Sequence, residues 1–189
     1  LYDDSSLHFP AIFIPDRTIR ELRSALTTYE MLKRELVTTK NRIRSLLLQN
    51  GFTGLKSKDL CLQKHQETIL ALPLHRGTLE QLRILFDLLG SIGSGIEKTR
   101  AEILIQGSAF TNEIDILTSI RGVSTFVAIV MLADIGNIHR FANAKRFCSY
   151  LRAAPKIDAS GSSTRIGKVN KHSRPGTMSV LVECLNHFR

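Results

Sequence analysis

Tryptophan is absent from this 189-residue chain, and nine Phe and three Tyr bring aromatic residues to only 6%. Surfaces that capture nucleic acid by stacking bases need such rings, which argues against a base-stacking platform and towards phosphate contact. Cysteine is scarce too: Cys61, Cys148 and Cys184 stand far apart, with no C-x-x-C spacing. Neither a disulfide framework nor a zinc site is thereby indicated. Cys61 and His65 share a helical spacing, but two ligands make no metal site, and the three thiols read as reduced packing residues. No apolar run approaches the roughly 20 residues a membrane span needs. The chain starts at Leu1 without the basic, apolar, small-residue order of a signal peptide. The expectation is a piece of a longer cytoplasmic protein with no membrane partner.

The last scarcity is acid. From Arg140 to Arg189 only Asp158 and Glu183 face ten Lys or Arg, so this quarter holds nearly all of the net charge of +9. Such an asymmetry is the electrostatic footprint of a nucleic-acid surface. Its alternative, a merely solvated basic face, stays open.

What is present begins with composition: 43% hydrophobic residues over this length describe one large or two small folded domains. Residues 1–15 read as a linker from something upstream, with Pro10 and Pro15 bracketing Ala11-Ile12-Phe13-Ile14. From Asp16, where Thr18 and Glu21 have capping-box spacing, a long helix runs to Gly51. Ile19, Leu22, Leu26, Tyr29, Leu36, Ile43 and Leu47 keep heptad phase along it, with Lys33 and Lys40 in the core slots between them. A second helix is expected over Lys58–Leu72, up to Pro73. A third runs from Thr78, again with capping-box spacing to Gln81, to about Gln106, with Leu82, Phe86, Leu89, Ile96 and Ile103 in phase. It is the natural antiparallel or intermolecular partner of the first. Gly90, Gly93 and Gly95 interrupt it, so a kink or a close helix approach is expected near Ser91. Residues 16–106 thus form a coiled-coil arm, a spacer or dimeriser to which no chemistry is assigned.

Gly107-Ser108 separates the arm from a C-terminal region over 113–189. There Ile114–Ile120, the turn Arg121-Gly122-Val123-Ser124 and Thr125–Ile135, closed by Gly136, have the helix-hairpin-helix pattern, centred on 117–136. Its turn can present backbone N–H groups of Gly122, Val123 and Ser124, and the second helix's N-terminal dipole, to a DNA phosphate without reading sequence. The common form has a second glycine where Ser124 stands, and two packed core helices joined by a turn remain the alternative.

Residues 158–171, DASGSSTRIGKVNK, bring hydroxyls and two glycines straight into basic residues, as an irregular or β-hairpin segment. Gly161 lets the backbone approach a ligand closely, while Arg165, Lys168 and Lys171 supply charge to phosphate oxygens. Either the hydroxyls make local turns, or one serine attacks a phosphodiester and holds DNA through a phosphoserine link. Composition does not choose between these readings.

Taken together, Ile120-Arg121-Gly122-Val123-Ser124, Leu132-Ala133-Asp134-Ile135-Gly136-Asn137-Ile138, Arg140-Phe141, Ala144-Lys145, Tyr150, Pro155, Ser160-Gly161 and Lys171 follow an order and spacing. In it the chain resembles the C-terminal domain of insertion-sequence transposases of the IS-one-ten and IS-eleven-eleven group, relatives of Piv-type DNA invertases. Ile19-Arg20-Glu21-Leu22-Arg23 and Asn41-Arg42-Ile43-Arg44-Ser45-Leu46-Leu47 resemble that group's coiled coil, so the resemblance extends from about Phe13 to Leu181. It implies a mainly α fold and a prokaryotic, nucleoid-associated recombinase acting on double-stranded DNA. It further implies a serine nucleophile at Ser160, a structured guide RNA, and Mg2+ held by a DEDD carboxylate domain of RuvC type that these residues do not match. No cofactor or metal ligand is expected within the chain itself. The chain departs from the group's wording at Arg152-Ala153, Asn170-Lys171, Ser173 and Thr177-Met178. A divergent branch, a decayed copy and a non-catalytic DNA-binding or dimerisation module therefore remain alternatives to an active transposase.

Overall fold

The computed structural model describes residues 13–53, 59–151, 155–160 and 163–169, the last two stretches as backbone. The protein is mainly helical. Its elements are α1 (Arg17–Gln49), a 3-10 turn (Asp59–Cys61), α2 (Gln63–Leu70), α3 (Arg76–Gly107), α4 (Thr111–Thr118), α5 (Thr125–Ile135), α6 (Ala144–Tyr150) and the strands β1 (Pro155–Ser160) and β2 (Ser163–Val169). Packing divides the chain into two compact units, one of Ser24–Thr111 and one joining Leu1–Arg23 to Asn112–Arg189.

The long helix begins where a side chain satisfies it. Asp16 Oδ1 accepts from the Ile19 N–H at 2.8 Å, an N-cap that also sets a negative charge at the positive end of the helix. The expected Thr18–Glu21 box does not form, because Glu21 pairs instead with Arg17 at 2.7 Å. At the other end Gly51 has φ +84°, and two N–H groups turn back onto carbonyls: Gly51 to Leu48 at 3.0 Å and Phe52 to Leu47 at 3.0 Å. These are the paired bonds of a Schellman motif, and its left-handed residue favours glycine.

Within the Ser24–Thr111 unit, Ile43 and Leu47 of α1 share one buried cluster with Leu60, Ile69 of α2, and Leu82, Phe86 and Leu89 of α3. Farther back on α1, Leu32 lies against Gly95, farther forward on α3. The two helices therefore run antiparallel past each other. The seam is wider than a single heptad line, for Thr39 is fully buried and Lys40 only half so. Lys33, placed in a core slot by its spacing, is exposed instead, its Nζ 5.5 Å from the Tyr29 ring centroid. The buried line therefore takes in Thr39, and it is Leu32, one residue before Lys33, that packs against Gly95 of α3.

Three further expectations shift. Helix α3 starts at Arg76, earlier than Thr78, with His75 Nδ1 accepting from the Gly77 N–H at 3.4 Å. It is continuous through its glycines; the close approach falls at Gly95, where an added Cβ would come within 3.3 Å of Leu32 Cδ1. Cys61 and Cys148 are exposed rather than packed. Residues 1–12, Lys58 and Cys184 lie outside the described residues.

Fully burying one aliphatic side chain contributes about 1.5–3 kcal/mol, so the shared cluster is where the helical pair gains its stability. Leu82→Ala, at a position with no exposed surface, is expected to lower unfolding free energy by about 2–5 kcal/mol. Val37→Ala, at 56% exposure, should change it by less than about 0.5 kcal/mol; urea denaturation of both variants checks the contrast.

Candidate nucleic-acid interface

The turn between α4 and α5 is built on one glycine. Gly122 has φ +86° and follows Arg121 in a four-residue turn closed by the Val123 N–H donating to Ile120 O at 3.1 Å. A positive φ at the third position is the requirement of a type II turn, which glycine meets without a steric penalty. The Val123 side chain, 7% exposed, anchors the turn to the core. Ser124, in the place of a second glycine, caps α5: its hydroxyl accepts from the Val127 N–H at 3.4 Å. Arg121, Gly122, Ser124 and Thr125 are left exposed around the N-terminus of α5.

Helix α5 itself is nearly all apolar, with Ala128, Ile129, Met131, Ala133 and Ile135 buried. Its carbonyl end has no basic residue of its own in the last turn, and four carbonyls there need donors. Each finds one. The Gly136 N–H donates to Leu132 O at 2.8 Å, and Arg23 Nε to Ala133 O at 2.6 Å. Asp134 O accepts from Arg23 Nη2 at 3.1 Å and from the Tyr150 hydroxyl at 2.7 Å. Arg140 Nε reaches Ile135 O at 3.3 Å. Two guanidinium charges thus sit at the negative end of the helix dipole, where a cation is stabilising.

Arg140 is held there by rings. Its guanidinium carbon lies 4.4 Å from the Phe13 centroid, 4.2 Å from Phe141 and 4.4 Å from Tyr150. Its Nη2 is buried without a hydrogen-bond partner among the described residues, and contact with the three ring faces offsets part of the desolvation. The same aromatic group leads into α6, since Phe141 and Phe147 meet edge-on at 5.3 Å. Asn143 Oδ1 caps α6 by accepting from the Arg146 N–H at 3.0 Å, leaving Lys145 and Arg146 exposed on its first turn.

After α6 come the two strands, antiparallel, with Asp158 opposite Arg165 and Ser160 opposite Ser163, and an irregularity between Pro155 and Ile157. Ser160 is therefore the last residue of β1, and Arg165 and Lys168 lie in β2. Gly161 and Lys171 lie outside the described residues. The turn residues and the strands belong to the same compact unit. Among the described residues no group of three or more His, Cys, Asp or Glu could hold a metal ion.

Sequence reading missed Arg23, Arg140 and Tyr150 as a group. The only signal was local, an Arg-Phe pair followed by a Tyr, and nothing in it points to Arg23 more than 100 positions away.

Arg23→Met should lower the stability of the unit by about 2 kcal/mol, since it strips charged donors from two buried carbonyls. Arg23→Lys should not restore it, because one ammonium does not reproduce the fork that spans adjacent carbonyls; thermal unfolding followed by circular dichroism measures both.

No curated protein matches the chain. Residues 114–187 match the family model described as Transposase IS116/IS110/IS902 family, a stretch that starts within α4 and takes in the capped helix, the basic tail and Ser160. Over these residues, from within α4 onward, the C-terminal part of the chain is similar to the IS116/IS110/IS902 transposase family.

Proposed function

We propose that this chain is the DNA-binding, serine-bearing part of a DNA transposase, joined to a helical arm through which copies associate. The observation that carries the reading is the family match over 114–187, because it spans Ser160 and the surplus of basic residues together. In this reading the exposed turn at Gly122 and Ser124, anchored by Val123, meets a phosphate of double-stranded DNA as a helix-hairpin-helix does, through backbone and the α5 dipole. Gly161, Arg165, Lys168 and Lys171 take the neighbouring phosphates.

Ser160 is the nucleophile. Its oxygen attacks phosphorus, the bond to the leaving sugar oxygen breaks, and that oxygen takes a proton, leaving DNA joined to serine; a second hydroxyl then attacks the phosphoserine and frees Ser160. A free serine is a weak nucleophile, so a base or a polarised phosphate must come from elsewhere. The reading assigns that part, with Mg2+, to a carboxylate domain beyond these residues, and choice of DNA site to an element-encoded guide RNA.

Binding through phosphates should be tolerant of sequence and steeply weakened by salt, because each neutralised phosphate releases counterions. Replacing Arg165, Lys168 and Lys171 with Ala should flatten the slope of log affinity against log salt by about one unit per cation. The same change at Lys33, Arg34 and Lys40 should leave it alone. Affinity that did not respond to salt would count against the interface.

For the serine, the transposase assembled with its carboxylate domain and guide RNA should form a DNA adduct. That adduct should vanish in Ser160→Ala and persist in Ser162→Ala, as read by denaturing electrophoresis and peptide mass. This chain alone should bind DNA and leave it intact. An adduct surviving Ser160→Ala would sink the assignment.

A further inference from the structure

Helix α3 has an outer face that is largely exposed, its edge at Gly95 packed by Leu32 of α1. Ile84, Leu88 and Ile105 are exposed on that helix at 61%, 42% and 66%. Midway along the same face, Gly90, Ser91, Ser94 and Gly95 line an open groove of about 750 Å³, together with Asp87, Lys98 and Phe86 of the same helix and Gln66 of α2. A Cβ built on Gly90 would meet nothing within 4 Å. Exposed apolar residues around a small-residue saddle are the form of a surface that a second helix covers.

The sequence of this face says which helix. Counted outward from the midpoint between Ile92 and Gly93, Ser91 mirrors Ser94, Gly90 mirrors Gly95 and Asp87 mirrors Lys98; farther out, Ile84 mirrors Ala101 and Arg83 mirrors Glu102. At the centre small residues mirror small ones and Asp87 and Glu102 each mirror a base, while Leu88 mirrors Glu97 and Ile105 mirrors Glu80 at the margins. A two-fold contact pairs residue i with j and j with i, so a surface that serves one must have this inverted symmetry. We propose that α3 pairs antiparallel with α3 of a second copy of this chain, across a two-fold axis through that midpoint. The proposal rests on reading the arm as the part through which copies associate, and it names the surface, the direction and the register.

The small residues let the helix axes approach to about 8 Å, the near end of the usual packing range. On either side of the crossing, Asp87 of each copy meets Lys98 of the other, and Arg83 meets Glu102, along about 30 Å of helix. Neither Asp87 nor Lys98 has an ion-pair partner among the described residues of its own chain. A parallel pair would set Asp87 against Asp87 and Lys98 against Lys98, which like-charge repulsion opposes. Nucleic acid would meet Asp87 and Glu102 on the same face and is the poorer occupant.

Charge reversal tests the register by sedimentation equilibrium at low salt, with circular dichroism confirming that each variant is folded. Asp87→Lys and Lys98→Asp should each weaken the dimer by about tenfold, since each turns two attractive pairs into two repulsive ones. The double variant should associate like the unaltered chain, because opposite charges face each other again across the axis. An unaltered chain that stays monomeric at every concentration would overturn both the oligomeric reading of the arm and this surface. A dimer indifferent to the single variants, or not rescued by the double one, would overturn this surface alone.

Discussion

The carbonyl end of α5 is the point on which the C-terminal unit turns. An apolar helix of 11 residues buries its side chains readily, but its last four carbonyls lose water without gaining an intrahelical partner. The chain carries donors to them from three directions: Arg23 from the start of α1, Arg140 from a 3-10 turn (Ile138–Arg140) that follows α5, and Tyr150 from the end of α6. Because the donors are positively charged at the negative end of a dipole, they satisfy the carbonyls and add an attraction of their own. Fixing that end also fixes the other. Eleven residues are about 16 Å of helix, and at their far side lie Ser124 and the Gly122 turn.

Arg140 shows how the arrangement tolerates a charge in an apolar place. Phe13, Phe141 and Tyr150 close around the guanidinium, and rings offer a cation electron density without asking for further hydrogen bonds. One segment before α1, one turn after α5 and one helix end are thereby joined through a single side chain. Lys145 and Arg146 lie in the first turn of α6, whose last residue is Tyr150, so the exposed charge of this part of the unit sits on the helix whose end helps cap α5.

The arm obeys a different constraint. Its helices are too long to stand without partners, and propensity alone stabilises a helix little. Burial along α1 and α3 supplies what is missing, through a stripe broad enough to take Thr39 and Leu32 as well as the heptad leucines and isoleucines. What is left on the outside of α3 is small and charged in a self-complementary order. The arm's inner face therefore accounts for its stability within one chain, and its outer face is the surface proposed for association between chains.

Much of this was legible beforehand. Helix periodicity, the breaks at Gly51 and Pro73, the turn at Gly122 and the excess of Lys and Arg after Arg140 are local properties, and local sterics and charge are enough to read them. The resemblance to a transposase family was legible too, because it depends on the order of residues rather than on their packing. The caps were not. Asp16 took the place of Thr18 and His75 that of Thr78, since which side chain caps a helix depends on backbone angles just outside it. Lys33 left its core slot because Leu32, one residue earlier, is the side chain that meets Gly95 of α3. Tertiary structure also placed Arg23 with the C-terminal residues, although it lies within a helix that sequence alone assigns wholly to the arm. The reason is physical: an orphan carbonyl at one end of α5 accepts a donor from anywhere in the chain, and only folding decides which arginine is near enough to give one.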